Sequence, residues 1–153
     1  MSALEGDLRE AVQTFNDLYA KGDPRWFSHF ADDATIYSND AAEPIEGREA
    51  YQKQFEKTLT TEQRAVHVIQ QDAQMMGDTA VVMQLLEISM SQLHLNARES
   101  TIWRRTAGAW KVAHLNASVI GGVRPAVNVR TAQAVRVLNE KIALVSSQAG
   151  VAQ

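Results

Sequence analysis

The run Asn96-Ala-Arg-Glu-Ser-Thr-Ile-Trp-Arg-Arg-Thr-Ala-Gly-Ala-Trp-Lys-Val-Ala-His-Leu-Asn-Ala-Ser-Val-Ile120 reads as two long strands folded back on each other. The turn falls at Ala107-Gly108, with Trp103 and Trp110 on either side of the bend. Gly108 supplies the positive φ that a tight hairpin turn requires. Strands of this length beside amphipathic helices imply a curved sheet wrapped around a hollow.

The first of these strands begins at about Leu93 and runs to Arg105, and upstream two further long candidates cover about Ala65–Met75 and Thr79–Ser91, with Gly77-Asp78 turning between them. The last strand spans Trp110 to Ile120, and a short one spans Ala34 to Ser38. Before Leu59 the spacing is helical instead. Ser2 and Glu5 form a capping box for a helix carrying Leu4, Leu8, Val12, Phe15 and Tyr19 on one face. Gly22 stops it, and Asp23-Pro24 opens a second helix presenting Trp26, Phe27 and Phe30. A third runs from Arg48 to Leu59, with Tyr51, Phe55 and Leu59 four apart. The resulting fold class is α+β: a mostly antiparallel sheet covered by three N-terminal helices. Gly121-Gly122 and Pro125 break the pattern, so a first unit covers 1–122. Val135, Leu138, Ile142 and Val145 then mark an extra C-terminal helix in an extension over 123–153, packing on its own domain or on a partner.

The chain has 153 residues, 45% of them hydrophobic and 22% charged, which suits one domain with a proper core. A net charge of −3 argues against nucleic-acid binding, which needs a basic surface. The absence of Cys removes disulfides, thiolate nucleophiles and thiolate metal sites, and fits a cytoplasmic protein. No apolar run approaches the roughly 18 residues that span a bilayer, and the start lacks the basic-then-apolar order of a signal peptide. His29, His67 and His94 are scattered without a ligand spacing, so no metal and no cofactor is expected.

Several runs carry a resemblance: Tyr19-Ala-Lys-Gly-Asp-Pro, Phe30-Ala-Asp-Asp-Ala-Thr-Ile, Pro44-Ile-Glu-Gly-Arg and Trp103-Arg-Arg-Thr-Ala-Gly-Ala-Trp-Lys-Val-Ala-His. With the order of elements, they resemble the nuclear transport factor 2-like (cystatin-like cone) superfamily over roughly residues 4 to 120. The similarity is to its polyketide-cyclase-like, SnoaL-like and calmodulin-dependent kinase association-domain branches. The resemblance implies a cone with a pocket between sheet and helices, and a homodimer. It does not carry over ketosteroid isomerase chemistry. The oxyanion-hole tyrosine of those enzymes falls on Phe15 and their base near Ser38, leaving only Glu99 as a matching carboxyl group. The arginines that line the kinase association-domain pocket are replaced here by Glu87, Thr101 and Ala117.

Strand alternation then sorts the candidates. Glu99, Thr101 and Trp103 share one face of their strand, and Val81, Met83, Leu85 and Glu87 share one face of theirs. The resemblance turns both faces inward, which makes Glu87 and Glu99 a catalytic acid/base pair with one raised pKa. Tyr19, Thr101, Trp103, Phe15, Ser38 and Leu115 are the expected substrate-binding residues. For the last strand, pattern alone turns Trp110 and Val112 inward. The resemblance instead turns Ala113, Leu115 and Ala117 inward and leaves Trp110, His114 and Asn116 at the dimer interface, and we follow it.

Two functions fit: a small-molecule pocket protein doing proton-transfer chemistry on a small apolar substrate (cyclisation, dehydration or isomerisation), or a non-catalytic association or ligand-sensing module. Neither involves nucleic acid or membrane.

Overall fold

The computed structural model describes residues 6–39, 41–120 and 124–125. The expected C-terminal helix, and the Ser2–Glu5 capping box, lie outside the described residues.

Helix α1 covers Gly6–Lys21 and buries Leu8, Val12, Phe15 and Leu18. It ends at Gly22, whose N–H donates to the Tyr19 carbonyl while Asp23 N–H donates to Leu18, the paired closing bonds of a left-handed helix stop. A side chain at Gly22 would meet the Leu59 carbonyl oxygen at 2.7 Å, so the end of α1 closely approaches the last turn of the later helix Arg48–Thr61. Asp23 caps the next segment as expected, but Pro24–His29 is a short 3-10 helix. Phe30 has already left it for strand β1, Phe30–Tyr37, which is longer than its sequence signal. After β2 (Ile45–Glu46) comes α2, Arg48–Thr61, burying Tyr51, Phe55 and Leu59.

The long strands follow as β3 (Ala65–Met76), β4 (Thr79–Ser89), β5 (Leu93–Thr106) and β6 (Ala109–Val119). The sheet order is β2-β1-β6-β5-β4-β3, with β7 (Arg124–Pro125) added to the start of β5. All pairings are antiparallel except β1 with β6. The β5–β6 turn has φ values of 50° at Ala107 and 77° at Gly108, the two positive values of a type I′ hairpin.

The register slips between Phe30 and Thr35 in β1, between Val68 and Gln70 in β3, and between Ile102 and Trp103 where β5 meets β6. Such bulges add twist and bend a sheet, and helices α1 and α2 close its concave side. One half of the interior is filled by rings: Phe15 lies 5.1 Å from Trp26, 5.5 Å from Phe30 and 5.4 Å from Trp103. These are the separations at which aromatic edges and faces attract. Tyr51 and Phe55 stack at 5.3 Å on the α2 side.

The slip between β5 and β6 decides the orientation of β6. Val112 opposes Trp103 and His114 opposes Ile102, leaving Ala113 as the extra residue. Trp110 and Val112 therefore face the core before the bulge, and Leu115 faces it after. Pattern and resemblance each describe one half of this strand.

Candidate functional site

Beyond the packed rings the hollow stays open as a cavity of about 250 Å³. That is a little below the roughly 300–1,000 Å³ of sites for drug-sized ligands. Its sheet wall is Leu86, Ile88, Leu95, Ala97 and Leu115, and its helix wall is Tyr19, Trp26, Tyr51 and Phe55. Ser38 stands just past the end of β1. Two ionic side chains interrupt this mostly apolar lining, Glu99 and Arg64.

Glu99 is placed by β5, directly opposite Gln84 of β4. The part of Glu99 that packing leaves uncovered faces the cavity, so its carboxyl is desolvated like a core group. Burial pushes its pKa up to about 7 from an ordinary 4.5, against the pull of a hydrogen bond from Gln84. Gln84 is itself buried. Its Nε2 donates to Glu99 Oε1 at 3.1 Å and to Asn16 Oδ1 at 3.3 Å. Its Oε1 accepts from Asn16 Nδ2 at 2.8 Å and from Gln71 Nε2 at 2.7 Å. Every hydrogen-bonding site of this amide is engaged, which holds it in one orientation with its N–H toward the carboxyl. Glu99 therefore meets a donor on one oxygen. As a neutral acid it keeps its own O–H to donate, and as an anion it can accept a proton.

Glu87 is on the other face. The inward residues of β4 are Ala80, Val82, Gln84, Leu86 and Ile88, and Glu87 opposes Asn96 rather than Glu99. Its Oε1 lies 3.1 Å from His94 Nε2, and His94 Nδ1 lies 2.7 Å from Ser89 Oγ, all on the convex side. The expected pair of carboxyls is corrected to one, because apolar residues occupy both faces of β4 and only the register separates them.

The expected substrate-binding residues divide in the same way. Tyr19, Ser38 and Leu115 line the cavity. Phe15, Thr101 and Trp103 do not; they form the packed half of the interior. Thr101 Oγ1 accepts from Trp103 Nε1 at 2.8 Å and donates to the Val82 carbonyl at 3.4 Å, so its hydroxyl is committed to the core. Trp110, expected at an interface, is buried within the protomer. The guanidinium of Arg105 covers its ring at 4.8 Å, and Asp7 holds Arg105 at 2.7 Å. His114 and Asn116 do lie on the convex face, where His114 Nδ1 meets Thr35 Oγ1 at 2.6 Å.

Sequence reading missed Arg64, Gln84 and Asn16. Arg64 carried a signal, since a basic residue just past a helix end can bond the last carbonyls. The two amides carried none, because a buried Gln or Asn is distinguished only by its partners. Among the described residues no group of three or more His, Asp or Glu side chains is placed to hold a metal ion.

A curved, mostly antiparallel sheet with helices closing its concave side defines the cone of the nuclear transport factor 2-like fold. The chain belongs to the SnoaL-like domain family, whose pattern it matches over residues 8–121. No curated protein matches it significantly. Among solved structures, one from Xanthomonas campestris bears the provisional name calcium/calmodulin dependent protein kinase II association domain. It is 21% identical, with a TM-score of 0.67, over 80% of this chain and 95% of that one. A nuclear transport factor 2-like protein of unknown function from Pseudomonas putida is 21% identical, with a TM-score of 0.66, over 74% and 84%. A protein from Novosphingobium aromaticivorans, provisionally named a scytalone dehydratase, is 14% identical, with a TM-score of 0.65, over 80% and 91%. At these identities the likeness is one of fold.

Proposed function

We propose that the cavity binds a small, largely apolar molecule and that Glu99 exchanges a proton with it, as in isomerisation, dehydration or cyclisation. The observation that carries this reading is a carboxyl in a mostly apolar cavity lining, its pKa raised by burial to about 7, with one oxygen accepting from a fixed Gln84 amide. A general acid or base works best with its pKa near the working pH, and burial puts Glu99 there. Tyr19 and Ser38 place hydroxyl-bearing residues in the lining of the same cavity. A neighbour named as a dehydratase has the same fold.

The test follows exchange of α-protons of small cyclic ketones with deuterated solvent by NMR. Catalysed exchange rising through neutral pH, and lost in Glu99→Gln, supports the reading. Saturable binding without exchange above the solvent rate would leave a ligand-sensing module.

The same reading includes self-association through the convex sheet face. Val81, Met83, Leu85 and Ile102 lie there half-buried, an apolar surface that the other described residues leave partly exposed.

A further inference from the structure

Arg64 lines the same cavity and is more than nine-tenths buried. A guanidinium carries N–H donors at Nη1, Nη2 and Nε. Nη1 donates to the carbonyls of Leu59 at 2.9 Å, Glu62 at 3.1 Å and Tyr19 at 3.4 Å, and Nη2 donates to Thr58 at 3.1 Å. The ring of Tyr19 lies 4.8 Å from the guanidinium carbon. Carbonyl dipoles and a π face make the direct contacts with the cation at the carboxyl end of α2. The nearby acid, Glu62, accepts the Ser91 N–H at 3.0 Å and feels the Arg64 charge from a distance without forming an ion pair with it. Among the described residues no carboxylate pairs with Arg64, and its Nε–H and second Nη2–H make no hydrogen bond. A buried charge with no counter-ion in contact is costly unless something supplies one.

The backbone positions of Arg64 and Glu99 also stand apart along the sheet. Arg64 precedes Ala65, which pairs with Ser89, whereas Glu99 pairs with Gln84. Five residues along β4 correspond to about 16 Å at the usual strand rise of about 3.3 Å. The apolar wall of Leu86, Ile88 and Leu95 lies between them.

We propose that the ligand of this cavity is an amphipathic carboxylic acid whose carboxylate is received by the free N–H groups of Arg64, with its apolar body lying along β4 and β5 toward Glu99. This rests on the cavity being a ligand site, as proposed above, and names the chemical class of the ligand. A carboxylate fits because its two oxygens match two guanidinium N–H groups.

Calorimetry with octanoate, octanamide and octyl phosphate, below neutral pH where Glu99 is uncharged, tests the proposal. Nitrogen-labelled arginine Nε–H signals are followed in parallel. Octanoate is expected to bind at least about ten-fold more tightly than octanamide, the equivalent of about 1.4 kcal/mol. Only octanoate should move the Arg64 Nε–H signal. Arg64→Gln should bring octanoate and octanamide to within about two-fold of each other. Since that variant also loses the carbonyl contacts at the end of α2, the wild-type affinity ratio and the Nε–H shift decide the matter without it. Octanamide equal to or tighter than octanoate would overturn the anionic head and leave the cavity reading standing. Tighter binding of octyl phosphate would overturn the carboxylate assignment. Binding of none of the three would overturn both readings.

Discussion

Glu99 sits where an ionisable group is expensive, and the sign of that expense sets a measurable pH dependence. With a folded pKa of about 7 against an ordinary 4.5, the folded state binds more protons than the unfolded chain between those values. The contribution of Glu99 is intact below about pH 4.5 and is lost as pH rises through 7. The full difference is on the order of 3 kcal/mol. Glu99→Gln keeps the acceptor for Gln84 and cannot ionise, so its stability should fall less than that of wild type between about pH 5 and pH 8. Urea unfolding of both proteins across that range checks this, and parallel slopes would remove the raised pKa.

The β5–β6 hairpin and its bulge control which side chains enter the cone. Ala107 holds φ at 50°, a region that costs a residue with a β-carbon about 1–2 kcal/mol. Asn tolerates that conformation, and Asn-Gly is the favoured type I′ pair. Ala107→Asn should therefore raise stability by about 0.5–1 kcal/mol, read as a higher urea midpoint with an unchanged slope. Further along β6, the extra residue Ala113 turns the strand over. Trp110 lies before that bulge and packs into the core instead of facing a partner. Trp110→Ala should cost about 3–5 kcal/mol of stability, as truncation of a buried large ring does. Its sedimentation behaviour at a temperature where it stays folded should match wild type. A loss of self-association with little loss of stability would return Trp110 to an interface.

For the proposed assembly, the convex face offers half-buried apolar side chains among the described residues. Leu85 sits near its centre on β4, opposite Arg98 of β5. Leu85→Glu gives Arg98 a partner within the protomer, so folding should hold to within about 1 kcal/mol. The same carboxylate buried between two protomers would be costly. Sedimentation should show wild type as a dimer and Leu85→Glu as a monomer. A wild-type monomer at micromolar concentration would remove the convex face as a self-association surface.

Helix α1, the start of α2, the long strands and the Ala107-Gly108 turn were all legible along the chain, because periodicity, caps and turn chemistry are local. Glu99 was legible too, as the carboxyl on the face shared with Thr101 and Trp103. The side of the sheet taken by Glu87 was not, since β4 is apolar on both faces and only its pairing with β5 orients it. The reversal at Ala113 was likewise invisible, because a bulge is a relation between two strands. Gln84, Asn16 and Arg64 became site residues only in three dimensions. The two amides have partners distant in sequence, and Arg64, though bonded mostly to the nearby end of α2, joins the site only where Tyr19 and the sheet close the cavity over it.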